Sequence, residues 1–336
     1  MTLQHADGLG LGAEPRPTSP LLEWPGAVAA DPPDDQVAAH YGDPLREQRA
    51  WEDVAGGFVD RSNRDVLTVT GPDRLGWLHS LTSQHLTDLT PGSGVEALVL
   101  SPHGHVEHHL VVLDDGATTW IDVEGGTGVT LAAFLNKMRF LLRVEVALVT
   151  DVYAVVTLVG AAAVSDEVVP DVPRRAMSWG TDLIVARTEL EQTASMFVEN
   201  GIAPIGLSAF EARRVEQGRP RLGFETDHRT IPNELPWLVT AVHLQKGCYR
   251  GQETVARTHN LGRPPRRLVL LHLDGAVPPA GSPVLWEGKA VGVVGTPAYH
   301  AELGPIALAL IKRRVPDDAV LRVGDEAEIA ASIAVD

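Results

Sequence analysis

The chain has 336 residues with 28 basic against 44 acidic side chains, a net charge of −16, and one cysteine. That length builds two or three domains around sizeable cores, and a single cysteine excludes an internal disulfide, a four-cysteine zinc site and a self-contained four-cysteine iron–sulfur cluster. The acidic balance opposes an extended grip on a nucleic-acid backbone, and Arg263-Pro-Pro-Arg-Arg267 is a local basic run that reads as solvated.

Residues 1–46 are rich in Pro, Gly, Ala and Asp without sustained periodicity, and read as an extended N-terminal arm, lying over the surface or partly disordered. No cationic start precedes an apolar core there, so the segment is not a secretory signal. Residues 47–150 read as a first α+β domain. Val66 to Thr70 is a strand, Gly71-Pro72-Asp73 punctuates, and Leu75, Leu78 and Leu81 recur at helical spacing. Strands follow at Val95 to Leu100, Val106 to Leu113 and Thr118 to Val123, with Asp115-Gly116 as a hairpin turn. A helix from Gly128 to Phe140 and a strand from Val144 to Val149 complete a β-α-β-β-β-α-β order, that of a ferredoxin-like sandwich with an additional strand.

Residues 151–263 read as a second α+β region with strands at Tyr153 to Val159 and Leu183 to Arg187, and helices near Glu189 to Glu199 and Ala209 to Gln217. Ser208 and Glu211 have capping-box spacing for the last helix. Residues 264–336 lose the helical signal. Short strands at Leu268 to Leu273, Val284 to Trp286, Val291 to Val294, Ile306 to Ile311 and Glu326 to Ile329 predict a small β-barrel or sandwich. The longest apolar stretch, Tyr153 to Val164, is too short to span a bilayer. With one cysteine the expectation is a soluble, cytoplasmic protein with no membrane contact.

Three constellations carry candidate chemistry. In Lys246-Gly-Cys-Tyr-Arg-Gly-Gln-Glu253, Lys246 and Arg250 flank Cys248 with positive charge, and a helix opening near Gln252 adds its positive end, conditions that favour a thiolate. The alternative is a small buried hydrophobe whose neighbouring charges are solvated. In Glu211-Ala-Arg-Arg-Val-Glu-Gln-Gly218, Glu216 falls near a helix end, where a carboxylate meets the unfavourable end of the dipole unless it has a partner. It reads either as a salt-bridged surface residue or as an acceptor for a pterin-like edge, with the arginines meeting an anionic tail. In His103-Gly-His-Val-Glu-His-His109, strand alternation puts His105, Glu107 and His109 on one face and His108 on the other. His105 and His109 are then roughly 13 Å apart, too far to share one metal ion. No glycine-rich phosphate loop, G-x-S-x-G elbow or H-E-x-x-H is present.

Lys246-Gly-Cys-Tyr-Arg-Gly-Gln-Glu253, continued by Thr254-Val-Ala-Arg257, preceded by Ile231-Pro-Asn-Glu-Leu235 and joined to a Val69-Thr-Gly-Pro-Asp73 entry, resembles the YgfZ family of folate-binding proteins. That family is related to the glycine-cleavage T-protein (aminomethyltransferase) and to mitochondrial iron–sulfur assembly factors. The resemblance runs from about Trp51 to the end and implies a T-protein-like ring of two ferredoxin-like α+β domains and a C-terminal β-barrel. It implies tetrahydrofolate as the small ligand and Cys248 as the reactive residue. Glu216 and Arg214 would hold the folate, with Lys246, Tyr249, Arg250, Gln252 and Glu253 of the motif loop beside it. In T-proteins an Arg-x-Glu-x-Gly segment supplies the pterin-gripping glutamate, and the matching stretch here is Arg214-Val-Glu-Gln-Gly218. One departure is marked: Gly104-His-Val-Glu-His-His-Leu110 carries histidines where T-proteins place aspartates that assist methylene transfer. The implied role is accessory, in making or maintaining iron–sulfur enzymes including tRNA-modifying ones, with client or assembly proteins as partners. The alternative is a folate-dependent one-carbon (aminomethyl or methyl) transferase.

Overall fold

A computed structural model describes residues 16–51, 55–164, 170–325 and 329–334. The first of these segments is no loose surface arm. Ser19 caps a short 3-10 turn over Pro20–Glu23 and donates to Asp60, and Leu21 is fully buried against Phe58, Leu158 and Phe197. A two-stranded ribbon, β1 (Val28–Ala29) and β2 (Ala38–His40), follows and buries Val37. Helix α1 (Pro44–Ala50) then starts on an Asp43 cap that accepts from Leu45 and Arg46 amides. Burial of these apolar side chains outweighs the Pro and Gly content that made the segment read as extended. Residues 1–15 of the expected arm lie outside the described residues.

Strand β3 (Gly57–Asp60) precedes the unit expected from Asp65 onward, which the structure reproduces element by element. Its members are β4 (Asp65–Thr70), α2 (Arg74–Leu81), β5 (Gly94–Leu100), β6 (Val106–Asp114), β7 (Thr118–Val123), α3 (Gly128–Lys137) and β8 (Glu145–Leu148). The sheet order is β5-β6-β7-β4-β8, all antiparallel. One face, with Leu67, Val69, Leu110 and Ile121, packs under α2 and α3 through Trp77, Leu78, Leu131 and Leu135.

A second sheet combines β9 (Tyr153–Val159), β10 (Arg174–Met177), β11 (Gly180–Ala186) and β12 (Ala203–Ile205), with α4 (Leu190–Glu199) on its outer face. Its order is β10-β11-β9-β3-β12, so β3 joins this sheet across the expected boundary at residue 150, pairing antiparallel with β9 and parallel with β12. The inner faces of the two sheets meet through Val66, Leu113, Trp120, Val155 and Ile184. Being covered on both sides is what makes Tyr153–Val159 an almost unbroken apolar run.

Helix α5 (Leu207–Glu216) starts at Gly206 with no side-chain cap, so the Ser208/Glu211 capping box does not form; Glu211 is drawn instead to Arg214 and Arg221. After it come a short α6 (Trp237–Thr240) and α7 (Gln252–Leu261), which starts where the motif loop ends. The last unit is a closed barrel in the order β13-β16-β15-β14-β17-β18. Its strands are β13 (Arg266–Leu273), β14 (Pro283–Trp286), β15 (Lys289–His300), β16 (Gly304–Lys312), β17 (Leu321–Val323) and β18 (Ile329–Ile333). Residues 326–328 of the last expected strand lie outside the described residues. Leu271, Val284, Val294, Ala309 and Leu321 fill the barrel, while Ile306 and Leu308 on its outer side pack against Ala212 and Val215 of α5. No described helix is long and apolar enough to cross a membrane.

Candidate functional site

Where the two sheets, α5 and the segment after it converge lies a partly open cavity of about 190 Å³. Sites that enclose a drug-sized ligand hold roughly 300–1,000 Å³, so this one takes a flat ring system and leaves a longer molecule partly outside. Helical periodicity selects one wall: Leu207, Phe210, Glu211 and Arg214 of α5 follow i, i+3, i+4, i+7 and all face the cavity, with Gln217 one turn on. Glu216 is off that stripe and does not line the cavity. It pairs with Arg213 at 3.0 Å and lies 3.7 Å from His300 of the barrel, apart from the residues that line the cavity.

The opposite wall is the inner face of the first sheet. The expected alternation fails at Glu107, because a β-bulge leaves Val106 opposite Leu100 and His108 opposite Val99. The extra residue sends His108 to the helix-covered side and aims His109 inward, so His105, Glu107 and His109 do not share a face. Burial lowers the His108 pKa to about 4. His109 lines the cavity, donates from Nε2 to Glu96 Oε1 at 2.8 Å, and stacks on Trp237 with ring centroids 4.5 Å apart and planes at 15°. Glu96 reaches it as a diagonal cross-strand neighbour, being opposite Val111 in the ladder. Burial would raise the Glu96 carboxyl, but the hydrogen bond and charge of His109 outweigh it and hold the pKa below the usual range. Sequence inspection missed Glu96; its signal is inward register on β5 beside the histidine run.

Charge fills the floor. Five arginines line the cavity: Arg61, Arg64, Arg214, Arg219 and Arg221. Arg64 pairs with Asp122 and Glu124, Arg221 with Asp34, Glu124 and Glu211, Arg214 with Glu211 at 2.8 Å and Glu225 at 3.2 Å, and Arg61 with Asp182 at 3.5 Å. Behind them the fully buried Arg175 joins Asp122 of the first sheet to Asp182 of the second. Burial opposes ionisation of Glu211, yet Arg214 and Arg221 hold it down to about 2. Arg219 differs. Its Nε donates to the neutral Gln217 at 2.9 Å, its guanidinium sits 5.0 Å from the Trp179 ring centre and 5.4 Å from that of Phe210, and Nη2 is buried without a hydrogen-bond partner among the described residues. Burial, with Arg214 and Arg61 nearby, lowers its pKa to about 9, which leaves it charged at neutral pH.

The motif loop lies outside this cavity. Cys248 is exposed and is not among the lining residues. The cations expected to act on it are engaged elsewhere: Arg250 pairs with Glu107 at 2.9 Å, and Lys246 is 6% exposed, donating from Nζ to the carbonyls of His79, Thr82 and Gln84 at the end of α2. Burial brings the Lys246 ammonium down to about 8. Tyr249 is buried in a cluster with Trp237, Leu100 and Val255, and burial pushes its phenol up to about 12. Gly251, at φ 80°, precedes α7, whose first turn holds Gln252 and the exposed Glu253. A Cβ on Gly251 would come within 2.5 Å of Ser101 O and 2.8 Å of Gly104 Cα, so this glycine serves loop-on-loop packing. Of the residues expected at one site, the cavity gathers only Arg214; Cys248, Tyr249, Gln252 and Glu253 stand apart with Lys246 and Arg250.

No protein-family model matches the chain. An aminomethyltransferase of Parasynechococcus marenigrum (strain WH8102) is 26% identical over 317 residues, 82% of this chain and 84% of that one. The glycine cleavage system aminomethyltransferase T of Bartonella henselae, a crystal structure, superposes with a TM-score of 0.82 at 18% identity over 94% of this chain and 95% of that one, which makes the fold T-protein-like. An aminomethyltransferase of Synechococcus sp. (strain RCC307) is 30% identical over 310 residues, 82% of this chain and 84% of that one, and the chain belongs to the aminomethyltransferase family.

Proposed function

We propose that the protein binds tetrahydrofolate by its pterin head in the central cavity, and that it serves iron–sulfur cluster assembly or maintenance as an accessory protein, as its resemblance to the YgfZ family implies. The observation that carries the ligand reading is the Glu96–His109 pair stacked on Trp237. A pteridine is a flat ring with an N–H-rich edge. Trp237, already stacked with His109, lines the cavity as a platform for the ring, and Glu96, held ionised, accepts from the edge. The partnerless Arg219 Nη2 is a further sign that the cavity is shaped around a polar ligand. When bound, tetrahydrofolate supplies a nitrogen that carries a one-carbon unit. The chain's own residues orient the ring, exclude water from it and place the imidazole of His109 beside it.

Titration with tetrahydrofolate, read by calorimetry and by fluorescence of the cavity tryptophans, tests the reading. Tight binding is expected, weakened at least about tenfold in Glu96→Gln with folding preserved. Absence of binding to the unaltered protein would overturn it. The accessory role rests on Cys248, exposed where a partner protein can reach it and where a ligand or cluster would need donors from that partner. Cys248→Ser is expected to leave cluster-dependent enzymes underactive in a strain lacking this protein; full restoration would remove the thiol from the account. A second reading, one-carbon transfer, is favoured by His109, on the strand that carries aspartates in T-proteins, standing against Glu96 of the neighbouring strand. Multiple rounds of folate consumption by the purified protein alone would select it.

A further inference from the structure

The basic run Arg263-Pro-Pro-Arg-Arg267 reads as solvated, but the structure divides its members. Arg266 is spent on Asp227 at 2.7 Å and Glu234 at 2.8 Å, and Arg267 on Asp317. Arg263 stays exposed, and the contacts of the run gather other exposed cations around it. The Pro265 carbonyl accepts from the Arg313 amide at 3.0 Å, and Arg266 is opposite Lys312 in the barrel ladder, which brings Lys312, Arg313 and Arg314 alongside. The Arg266–Asp227 pair draws in the turn that carries Arg229, whose amide donates to Asp227 at 2.9 Å. Helix α7 leads through Gly262 into Arg263, with Arg257 on its exposed side one turn before Leu261.

Arg229, Arg257, Arg263, Lys312, Arg313 and Arg314 thus form an exposed basic patch on a chain whose net charge is −16. Among the described residues none of them lies within ion-pair distance of a carboxylate, and Asp227, Glu234 and Asp317 are already neutralised by Arg266 and Arg267. Asp318 is exposed at the rim. Gathered like charges repel one another, and a polyanion relieves that cost. The composition of the patch says which polyanion. A protein partner needs an apolar centre with aromatic anchors, and the patch exposes Leu261 but no Trp, Tyr or Phe ring. Phosphate contacts need no such centre, and all but one of these cations are arginines, whose fork matches phosphate oxygens. We propose that this surface docks the phosphodiester backbone of a nucleic acid over a footprint of about six phosphates, which the acidic remainder of the chain keeps short. RNA and DNA share that backbone. The proposal stands apart from the folate reading and from Cys248.

Fluorescence anisotropy of the full chain with a labelled RNA hairpin, and with the DNA hairpin of the same sequence, tests the assignment between about 50 and 200 mM salt. Neutralising Z phosphates gives a slope of log affinity against log salt of about −0.7Z to −0.9Z, so about −4 to −5 is expected here. Arg263→Gln and Arg313→Gln alter exposed, unpaired side chains and leave the fold intact; each should reduce the magnitude of that slope by about 1. Arg46→Gln, exposed on α1 and outside the patch, should leave it unchanged. Tighter binding of one hairpin supports the proposal and names the source of the backbone. No binding of either hairpin at about 50 mM salt, or a slope that the two patch substitutions do not move, would overturn it. Displacement of the bound hairpin by poly-L-glutamate at equal charge would overturn it in favour of an acidic protein surface.

Discussion

Lys246 was expected to tune the thiol two residues away, but its ammonium reaches into the protein and ends α2. Replacing it by Met keeps most of the apolar stem and removes three donors from the carbonyls of His79, Thr82 and Gln84. The Thr82 carbonyl is fully buried and has no access to water, whereas the other two are partly accessible and re-solvate. A buried acceptor left unsatisfied costs about 1–3 kcal/mol, and a hydrogen bond from a charged donor is worth about 1.5–3 kcal/mol. Since these figures overlap for one group, Lys246→Met should destabilise the fold by about 2–4 kcal/mol. Urea denaturation followed by circular dichroism reads this as a lower midpoint with unchanged slope. The rate of Cys248 alkylation, measured well below the midpoint, should be unchanged. An unchanged midpoint together with alkylation slowed at least about tenfold would refute the reasoning and return Lys246 to the sulfur.

Three other perturbations follow from the same coordinates. Gly251→Ala places a Cβ against two backbone atoms at a positive φ, so it should cost at least about 2 kcal/mol, and a change in urea stability below about 0.5 kcal/mol would contradict the packing account. His108, held neutral by burial with a pKa of about 4 against 6.5 in an unfolded chain, binds its proton more readily when unfolded. Stability linked to it is therefore whole above pH 6.5 and falls by up to about 3 kcal/mol as pH drops to 4. His108→Leu should flatten that part of the wild-type pH–stability curve, and parallel curves for the two proteins would disprove it. Arg175→Met leaves Asp122 and Asp182 short of a buried partner and should cost about 3–5 kcal/mol at pH 7, shrinking in acid as Asp122 protonates. A loss independent of pH would point to packing alone.

The order of elements from Asp65 to Leu148 was legible because each strand is a short apolar run closed by Gly, Pro or Asp, and those signals are local. The barrel was legible for the same reason. What the sequence concealed depends on distant partners. Strand β3 is four residues long and gains meaning only from β9 and from β12, a strand that itself contains Pro204. Asp34 sits in a segment with a disordered composition, yet it answers Arg221 from 187 positions away, and nothing near either residue announces the other. Glu216 shows the reverse case. The stripe Leu207, Phe210, Glu211, Arg214 was readable from spacing and would have turned Glu216 away from the cavity, but the family pattern drew attention to the glutamate instead of to the helix face. The bulge at Glu107 has no such local sign, so the strand's two faces exchange without warning.

The separation of Cys248 from the cavity has a consequence for how ligand and thiol communicate. Three independent contacts fix the motif loop: Lys246 on the end of α2, Arg250 on Glu107, and Gly251 on the turn at Gly104. A thiol on so anchored a loop does not swing into the cavity on ligand binding, because that would break a buried ammonium site and a backbone-on-backbone contact together. The connection that remains is through packing, since Tyr249 shares a core cluster with Trp237, and Trp237 is a wall of the cavity. On the folate reading proposed above, tetrahydrofolate is expected to change the rate of Cys248 alkylation modestly through Tyr249, and abolition of alkylation would show direct occlusion instead. On the proposed reading the cavity holds the small molecule, the loop presents sulfur to a macromolecule, and the core cluster shared by Tyr249 and Trp237 links the two.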